Sequence, residues 1–123
     1  MGIIRDTVRI SGNRDAVILE ALFDTGADYN VIRPRLSNGM TTDDLGYIDY
    51  FPEYVSILNL GEDQNNEGEL YDYVIFGEMD ISGKKITTPG FVLMEIGDDV
   101  LIGHGAMQCL GIKLDPRNHK ITI

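Results

Sequence analysis

The stretch of sequence that constrains the fold most is Ala21-Leu22-Phe23-Asp24-Thr25-Gly26-Ala27-Asp28. The apolar run 16–23 that leads into it is typical of a strand with both faces buried. A charged aspartate at the end of such a strand is energetically unfavourable unless it is paired, bound to a ligand or catalytic. Asp-Thr-Gly by itself also forms ordinary turns. The apolar residues on both sides therefore distinguish this stretch from an ordinary turn.

A second stretch, Val100-Leu101-Ile102-Gly103, lies near the C-terminus. A short helix ending at Gly111, the segment 112–115 and a final strand follow it. In order and spacing the two stretches resemble the retropepsin-like aspartic proteases. This family includes the retroviral proteases, the protease-like domain of the DNA-damage-inducible ubiquitin shuttle proteins and small prokaryotic relatives. The ending 110–116 is similar to the prokaryotic members, and residues 34–88 match the family only in general pattern.

The expected fold is a single all-β domain over residues 1–123. Short apolar runs separated by glycine favour a barrel or sandwich, and 123 residues suffice for one core. The resemblance implies a closed, barrel-like domain of six or seven strands with one short C-terminal helix. The pattern predicts strands at 3–10, 16–23, 31–33, 54–60, 71–81, 85–94 (interrupted at 89–90), 100–102, 112–114 and 120–123. Thr42 or Asp43 is a candidate cap for a single helical turn.

The chemistry that the resemblance implies is aspartic-type peptide hydrolysis. Two carboxylates held close together share one proton, because both cannot ionise. The ionised carboxylate then activates a water molecule, and the protonated one polarises the peptide carbonyl. The chain has one Asp-Thr-Gly, so Asp24 must meet Asp24 of a second copy across a two-fold axis. The sequence thus predicts a homodimeric aspartic endopeptidase that acts on a peptide or protein without a metal or cofactor.

The resemblance also assigns roles to the neighbours of Asp24. Substrate would contact Gly26, Ala27, Asp28, Leu101 and Ile102. Active-site support would come from Thr25, through a hydrogen bond to the partner's turn, and from Gly103 and His104. His104 stands where retroviral proteases typically have an arginine that pairs with the aspartate equivalent to Asp28.

The hairpin around Gly61–Glu69 occupies the place of the family's flap, with Gly61 and Gly68 as hinges. Its tip is polar and acidic, whereas retroviral flaps have apolar, glycine-rich tips. A solvated loop and a working flap both stay open. Two further functions also stay open: a catalytically idle retropepsin-like homodimer that binds peptides, and a monomeric β-barrel with an aspartate in a turn.

The net charge of −10 argues against nucleic acid and anionic membranes as partners. Solubility is the ordinary explanation of this charge, and a preference for basic peptides is the more specific one. Cys109 is the only cysteine, which excludes an internal disulfide, and it is expected in the core. No segment resembles a signal peptide or a membrane span, so a cytoplasmic location is expected. No cluster of His, Cys and carboxylate residues has the spacing of metal ligands.

Overall fold

The computed structural model describes residues 4–55 and 68–123, which form eleven strands and two short helices. In chain order they are β1 (Ile4–Ser11), β2 (Ala16–Phe23), β3 (Val31–Ile32), α1 (Thr42–Leu45), β4 (Asp49–Val55), β5 (Glu69–Ile75), β6 (Glu78–Ile81), β7 (Lys84–Thr87), β8 (Gly90–Leu93), β9 (Val100–Ile102), α2 (His104–Leu110), β10 (Lys113–Asp115) and β11 (Lys120–Thr122). The chain is therefore mostly β, as the sequence predicts.

Nine of the strands form one curled sheet in the order β4-β5-β8-β3-β9-β2-β1-β6-β7, and β10 and β11 pair separately. Within residues 4–55 and 68–123 no pairing joins the two edge strands β4 and β7. These residues thus form a curled half-barrel sheet, and closure into the expected barrel of six or seven strands stays a prediction.

The extra strands arise where two predicted long strands are divided. The segment 71–81 breaks at Phe76-Gly77, so β5 pairs with β4 and β8, while β6 pairs with β1 and β7. At the break the Gly77 N–H donates to the Ser11 carbonyl at 2.8 Å. The segment 85–94 divides at Thr88-Pro89, one residue before the interruption predicted at 89–90. Each break lets the chain cross from one part of the sheet to another.

The β1–β2 hairpin is fixed by its turn at 12–15. The Gly12 N–H donates to the Asp15 carbonyl at 2.9 Å, and the Arg14 N–H donates to the Leu45 carbonyl at 2.9 Å. A β-carbon on Gly12 would lie 2.0 Å from that Leu45 oxygen. Only glycine therefore allows the turn to pack so closely against the end of α1.

Both helices are short, and each has a clear terminal signal. The Thr41 side chain accepts a hydrogen bond from the Asp44 N–H, and Asp44 accepts one from the Thr41 N–H, which forms a capping box at α1. This helix is additional to the one expected near the C-terminus, and its cap is Thr41, not Thr42 or Asp43. Helix α2 ends at Gly111, whose φ of 69° is left-handed.

The expectation that Cys109 is buried is wrong, because its side chain is exposed. Met107 is the buried residue of α2. Residues two apart on a helix point in nearly opposite directions, so an inward Met107 turns Cys109 outward.

Apolar side chains cover both faces of the central strands. Ile32 and Ile102 belong to the main core, whereas their neighbours Val31 and Leu101 belong to a second, smaller cluster. Successive residues of a strand point to opposite faces, so the two clusters lie on opposite sides of the sheet. The second cluster consists of buried Val31, Val55 and Val92 with partly buried Tyr29, Tyr71, Tyr73, Met94, Ile96 and Leu101.

The C-terminal segment forms the expected hairpin of β10 and β11, with Leu114 opposite Ile121. Ile121 is 8% exposed and packs in the main core, while Ile123 is 52% exposed. In the part of the chain that the structure describes, neither helix has the length and apolar character needed to cross a membrane.

Candidate active site

Asp24 is positioned by the parallel pairing of β2 with β9. Phe23 lies opposite Ile102, so the two strands end side by side. The Asp24 N–H then donates to the Ile102 carbonyl at 3.0 Å. The first stretch of the sequence motif is thereby bound directly to the second.

Residues 24–27 form a tight turn with the Asp24 side chain folded over it. The Ala27 N–H donates to the Asp24 carbonyl at 3.1 Å, and the Gly26 N–H donates to the Asp24 carboxylate at 2.8 Å. The φ of Gly26 is outside the left-handed region. Its lack of a side chain matters for space, because a β-carbon there would lie 3.3 Å from that carboxylate. Asp24 is partly exposed, and Thr25 and Gly26 are exposed.

Gly103 and His104 support the other side of the turn. The His104 N–H donates to the Ala27 carbonyl at 3.0 Å. A β-carbon on Gly103 would lie 2.7 Å from the Ala27 oxygen and 2.9 Å from the Tyr29 oxygen. The turn thus rests on a backbone surface that any larger residue at position 103 would push away.

The structure brings Asp28 and His104 together, as the resemblance implies. His104 Nδ1 lies 3.9 Å from an Asp28 carboxylate oxygen and 3.0 Å from the Ala27 carbonyl oxygen. About half of each side chain is exposed. An exposed ion pair of this length contributes little, so the shorter contact to Ala27 is the main tie between His104 and the turn.

Asn30 is a supporting residue that the sequence patterns do not reveal. Its side-chain oxygen accepts from the Gly103 N–H at 3.0 Å, and its side-chain nitrogen donates to the Gly90 carbonyl at 3.2 Å. One amide just before β3 therefore links Gly103, which follows β9, to the first residue of β8. The only signal in the sequence is a polar residue directly before the buried Val31.

A polar network holds the start of β9. The Asp99 carboxylate accepts from the Ser37 N–H at 2.8 Å, from the Ser37 hydroxyl and from the Arg33 guanidinium. Asp99 is 8% exposed, and Arg33 Nε is buried without a hydrogen-bond partner among the described residues. Burial by itself raises the pKa of Asp99, but the hydrogen bonds from Ser37 and Arg33 outweigh it and lower the pKa. The network keeps the Asp99 carboxylate ionised at the position directly before β9.

The two residues expected to contact substrate from β9 differ in exposure. Leu101 is partly exposed in the second apolar cluster, on the opposite face from the main core. Ile102 is fully buried in the main core. A fully buried side chain cannot touch a substrate, so Ile102 serves to anchor Asp24 through its carbonyl.

Most of the expected flap around Gly61–Glu69 lies outside the described residues, and the strands on its two sides are β4 and β5. These strands pair from Asp49–Ile75 to Val55–Glu69. Gly61 lies outside the described residues. Gly68 directly precedes β5, and a β-carbon there would meet Tyr54 and Val55 at an ordinary 3.5 Å. Its assignment as a hinge stays a prediction.

A shallow groove of about 560 Å³ adjoins the turn on the side of α2. Its walls come from Thr25, His104, Met107, Gln108, Ile112, Lys113 and Leu114. Among residues 4–55 and 68–123 no group of three or more His, Cys, Asp or Glu side chains is arranged to hold a metal ion.

No protein-family model matches the chain, and no curated protein matches it in sequence. Its structure is similar to the crystal structure of the retroviral protease-like domain of Ddi1 from Leishmania major. The TM-score is 0.55 with 14% identity, over 100% of this chain and 89% of that one. At this identity the likeness concerns the fold alone: the chain has a retropepsin-like all-β fold.

Proposed function

We propose that the chain is an aspartic endopeptidase whose active site forms between two copies, each of which contributes Asp24. The observation that carries the proposal is the hydrogen bond from the Asp24 N–H to the Ile102 carbonyl at 3.0 Å. It joins the two sequence stretches at one point of a retropepsin-like fold. The carboxylate is held there at the end of β2, whose inward side chains lie in the main core, and it stays partly exposed.

In the proposed dimer the two Asp24 carboxylates share one proton and titrate as a unit. The ionised carboxylate takes a proton from water, which attacks the peptide carbonyl. The protonated carboxylate donates a hydrogen bond to the carbonyl oxygen as negative charge develops on it. The C–N bond then breaks, and the carboxyl group that took the proton from water gives a proton to the leaving amine nitrogen. No other nucleophile is required.

The surroundings of Asp24 suit this arrangement. Thr25 is exposed beside the groove of α2, where its hydroxyl is free to meet the partner's turn. Exposed Gly26 leaves room for a substrate backbone, and Leu101 offers an apolar contact on the same side of the sheet as Val31. Substrate roles for Ala27 and Asp28 and a supporting role for His104 belong to the proposal. The single domain and the cytoplasmic location stay predictions.

The test is the substitution Asp24→Asn, which keeps the size of the side chain but removes the base. We expect the wild type to cleave members of a peptide library and the variant to cleave none, while light scattering gives the mass of a dimer for both. Asp15→Asn, the same change in the exposed turn after β1, is the matched control and should cleave like the wild type.

Equal cleavage by Asp24→Asn and the wild type would refute the proposal. Binding of peptides by both forms without cleavage by either would instead identify a peptide-binding dimer without catalysis.

A further inference from the structure

The charged residues are segregated along the chain. Residues 36–83 contain eleven Asp and Glu and no Lys or Arg, so all ten basic residues lie in 1–35 and 84–123. The whole negative excess of the protein therefore falls in one stretch. Among the described residues this stretch includes β4 and β5, the two strands of the hairpin at the sheet edge.

One side of this hairpin continues the second apolar cluster. Partly buried Tyr71 and Tyr73 of β5 lie there with Tyr29 of the turn segment, beside Leu101. We call the surface formed by Tyr29, Tyr71 and Tyr73 the tyrosine face. Because Tyr29 directly follows Asp28, this face adjoins the candidate active site.

Two exposed carboxylates lie at the rim of the tyrosine face. Glu53 stands opposite Tyr71 in the β4–β5 register, and Glu69 accepts a hydrogen bond from the Tyr71 hydroxyl at 2.9 Å. The pKa values of two tyrosines reflect this environment. The pKa of Tyr71 is raised mainly by the hydrogen bond to Glu69, and that of Tyr73 by burial and then by the nearby Tyr29 and Glu53.

No basic residue occurs in the segments that surround this face. Residues 24–32, 49–55, 69–75 and 90–96 contain neither Lys nor Arg. Aromatic rings attract cations placed over their faces, and the aliphatic stem of a long basic side chain packs well on apolar surface. The carboxylates of Glu53 and Glu69 at the rim would then attract the positively charged end of such a side chain.

We propose that the tyrosine face selects a peptide segment with an arginine or lysine side chain, whose stem lies on Tyr71 and Tyr73 and whose charged end lies between Glu53 and Glu69. This proposal rests on the proposed function in one respect: it assumes that the bound peptide is a substrate. It names the substrate class as peptides with a basic residue close to the cleaved bond.

Binding is measured with the Asp24→Asn form, so that no peptide is consumed. The probes are two fluorescent decapeptides that are identical except at the central residue, which is arginine in one and citrulline, its neutral isostere, in the other. Their binding is measured by fluorescence anisotropy at 50 and 300 mM salt. We expect the arginine peptide to bind roughly fivefold more tightly at low salt, and we expect the difference to shrink at high salt. Glu53→Gln with Glu69→Gln should abolish the preference.

The matched control is Glu20→Gln with Glu78→Gln, two carboxylates on β2 and β6 away from this face, and it should keep the preference. Equal affinity for both peptides, the same loss in the control, or no binding of either peptide would overturn the proposal. Measuring cleavage of both peptides by the wild type shows whether the basic preference or the proposed endopeptidase activity has failed. Selective binding without cleavage rejects only the endopeptidase, whereas equal binding and cleavage of both peptides rejects only the basic preference.

Discussion

Gly103 and Ala27 are in backbone contact: a β-carbon on Gly103 would lie 2.7 Å from the Ala27 carbonyl oxygen. That same oxygen accepts the His104 N–H. The position of the Asp24 turn therefore depends on the absence of a side chain at residue 103.

Gly103→Ala should displace the turn, because backbone atoms cannot move aside as a flexible side chain does. We expect a loss of about 1–3 kcal/mol in the free energy of unfolding and the loss of peptide cleavage. The control is Gly105→Ala in α2, where a β-carbon meets nothing within 4 Å. That change should be neutral or stabilise by up to about 1 kcal/mol. Similar urea midpoints for the two variants would contradict the contact.

Asp99→Asn should destabilise the fold, because Arg33 then keeps its charge in a largely buried place without an ionised partner. We expect a loss of about 3 kcal/mol at pH 7. Asp98→Asn changes the neighbouring residue, whose partner Arg5 is half exposed, and should cost less than about 1 kcal/mol. Urea unfolding of both variants tests this, and equal losses would count against the buried network.

The effect of Asp99 should also depend on pH in a defined direction. Its pKa is lower in the folded protein than in the unfolded chain. Its contribution is therefore fully present above the unfolded value of about 3.9 and is lost as pH falls through the folded pKa. The difference in unfolding free energy between the wild type and Asp99→Asn should be constant from pH 7 to about 5 and shrink in more acid solution. A difference that grows on acidification would show the opposite sign.

Thr25→Ala should weaken the proposed dimer without destabilising the monomer, because Thr25 is exposed in the single chain. Loss of the two symmetric hydrogen bonds should raise the dimer dissociation constant about tenfold or more. Thr87→Ala, at an exposed position of edge strand β7, is the control. Sedimentation equilibrium that gives the same constant for both variants would exclude Thr25 from the interface.

Ile121→Ala should cost about 2–4 kcal/mol of unfolding free energy, since the side chain fills the main core. Ile123→Ala should change it by less than about 0.5 kcal/mol, since that side chain is half exposed. Deletion of residues 120–123 should therefore impair folding before it affects association. A deletion mutant that stays stable and dimeric would show that the last hairpin is dispensable.

Local signals in the sequence account for the parts of the fold that it predicts well. The strands β1 and β2 follow from their apolar runs, and helix α2 follows from the apolar pattern that ends at Gly111. The sequence does not reveal the break at Phe76-Gly77, because Tyr71, Tyr73 and Ile75 alternate in phase with Met79 and Ile81. The start of β4 is also hidden, since Pro52 disfavours a strand. Its place at a sheet edge makes that proline acceptable.

The sequence suggests residues for the candidate site but does not mark the side chains that support them. Asp24 and Gly103 come together because both follow apolar strands, β2 and β9, which pair in parallel. The bridge made by Asn30 and the pair of Arg33 with Asp99 join residues far apart in the chain, and no local pattern marks them. Only the folded sheet shows that these side chains meet.

The parallel register of β2 and β9 has a consequence for how the protein is made. Asp24 is synthesised before the carbonyl that anchors it, because that carbonyl belongs to Ile102 of β9. Contacts between distant segments form late in folding, because a long loop must first be closed. A nascent chain that has not yet exposed β9 therefore cannot hold the turn in place. For the proposed activity this means that a nascent chain is inactive until β9 has emerged, paired with β2 and met β9 and β2 of a second copy.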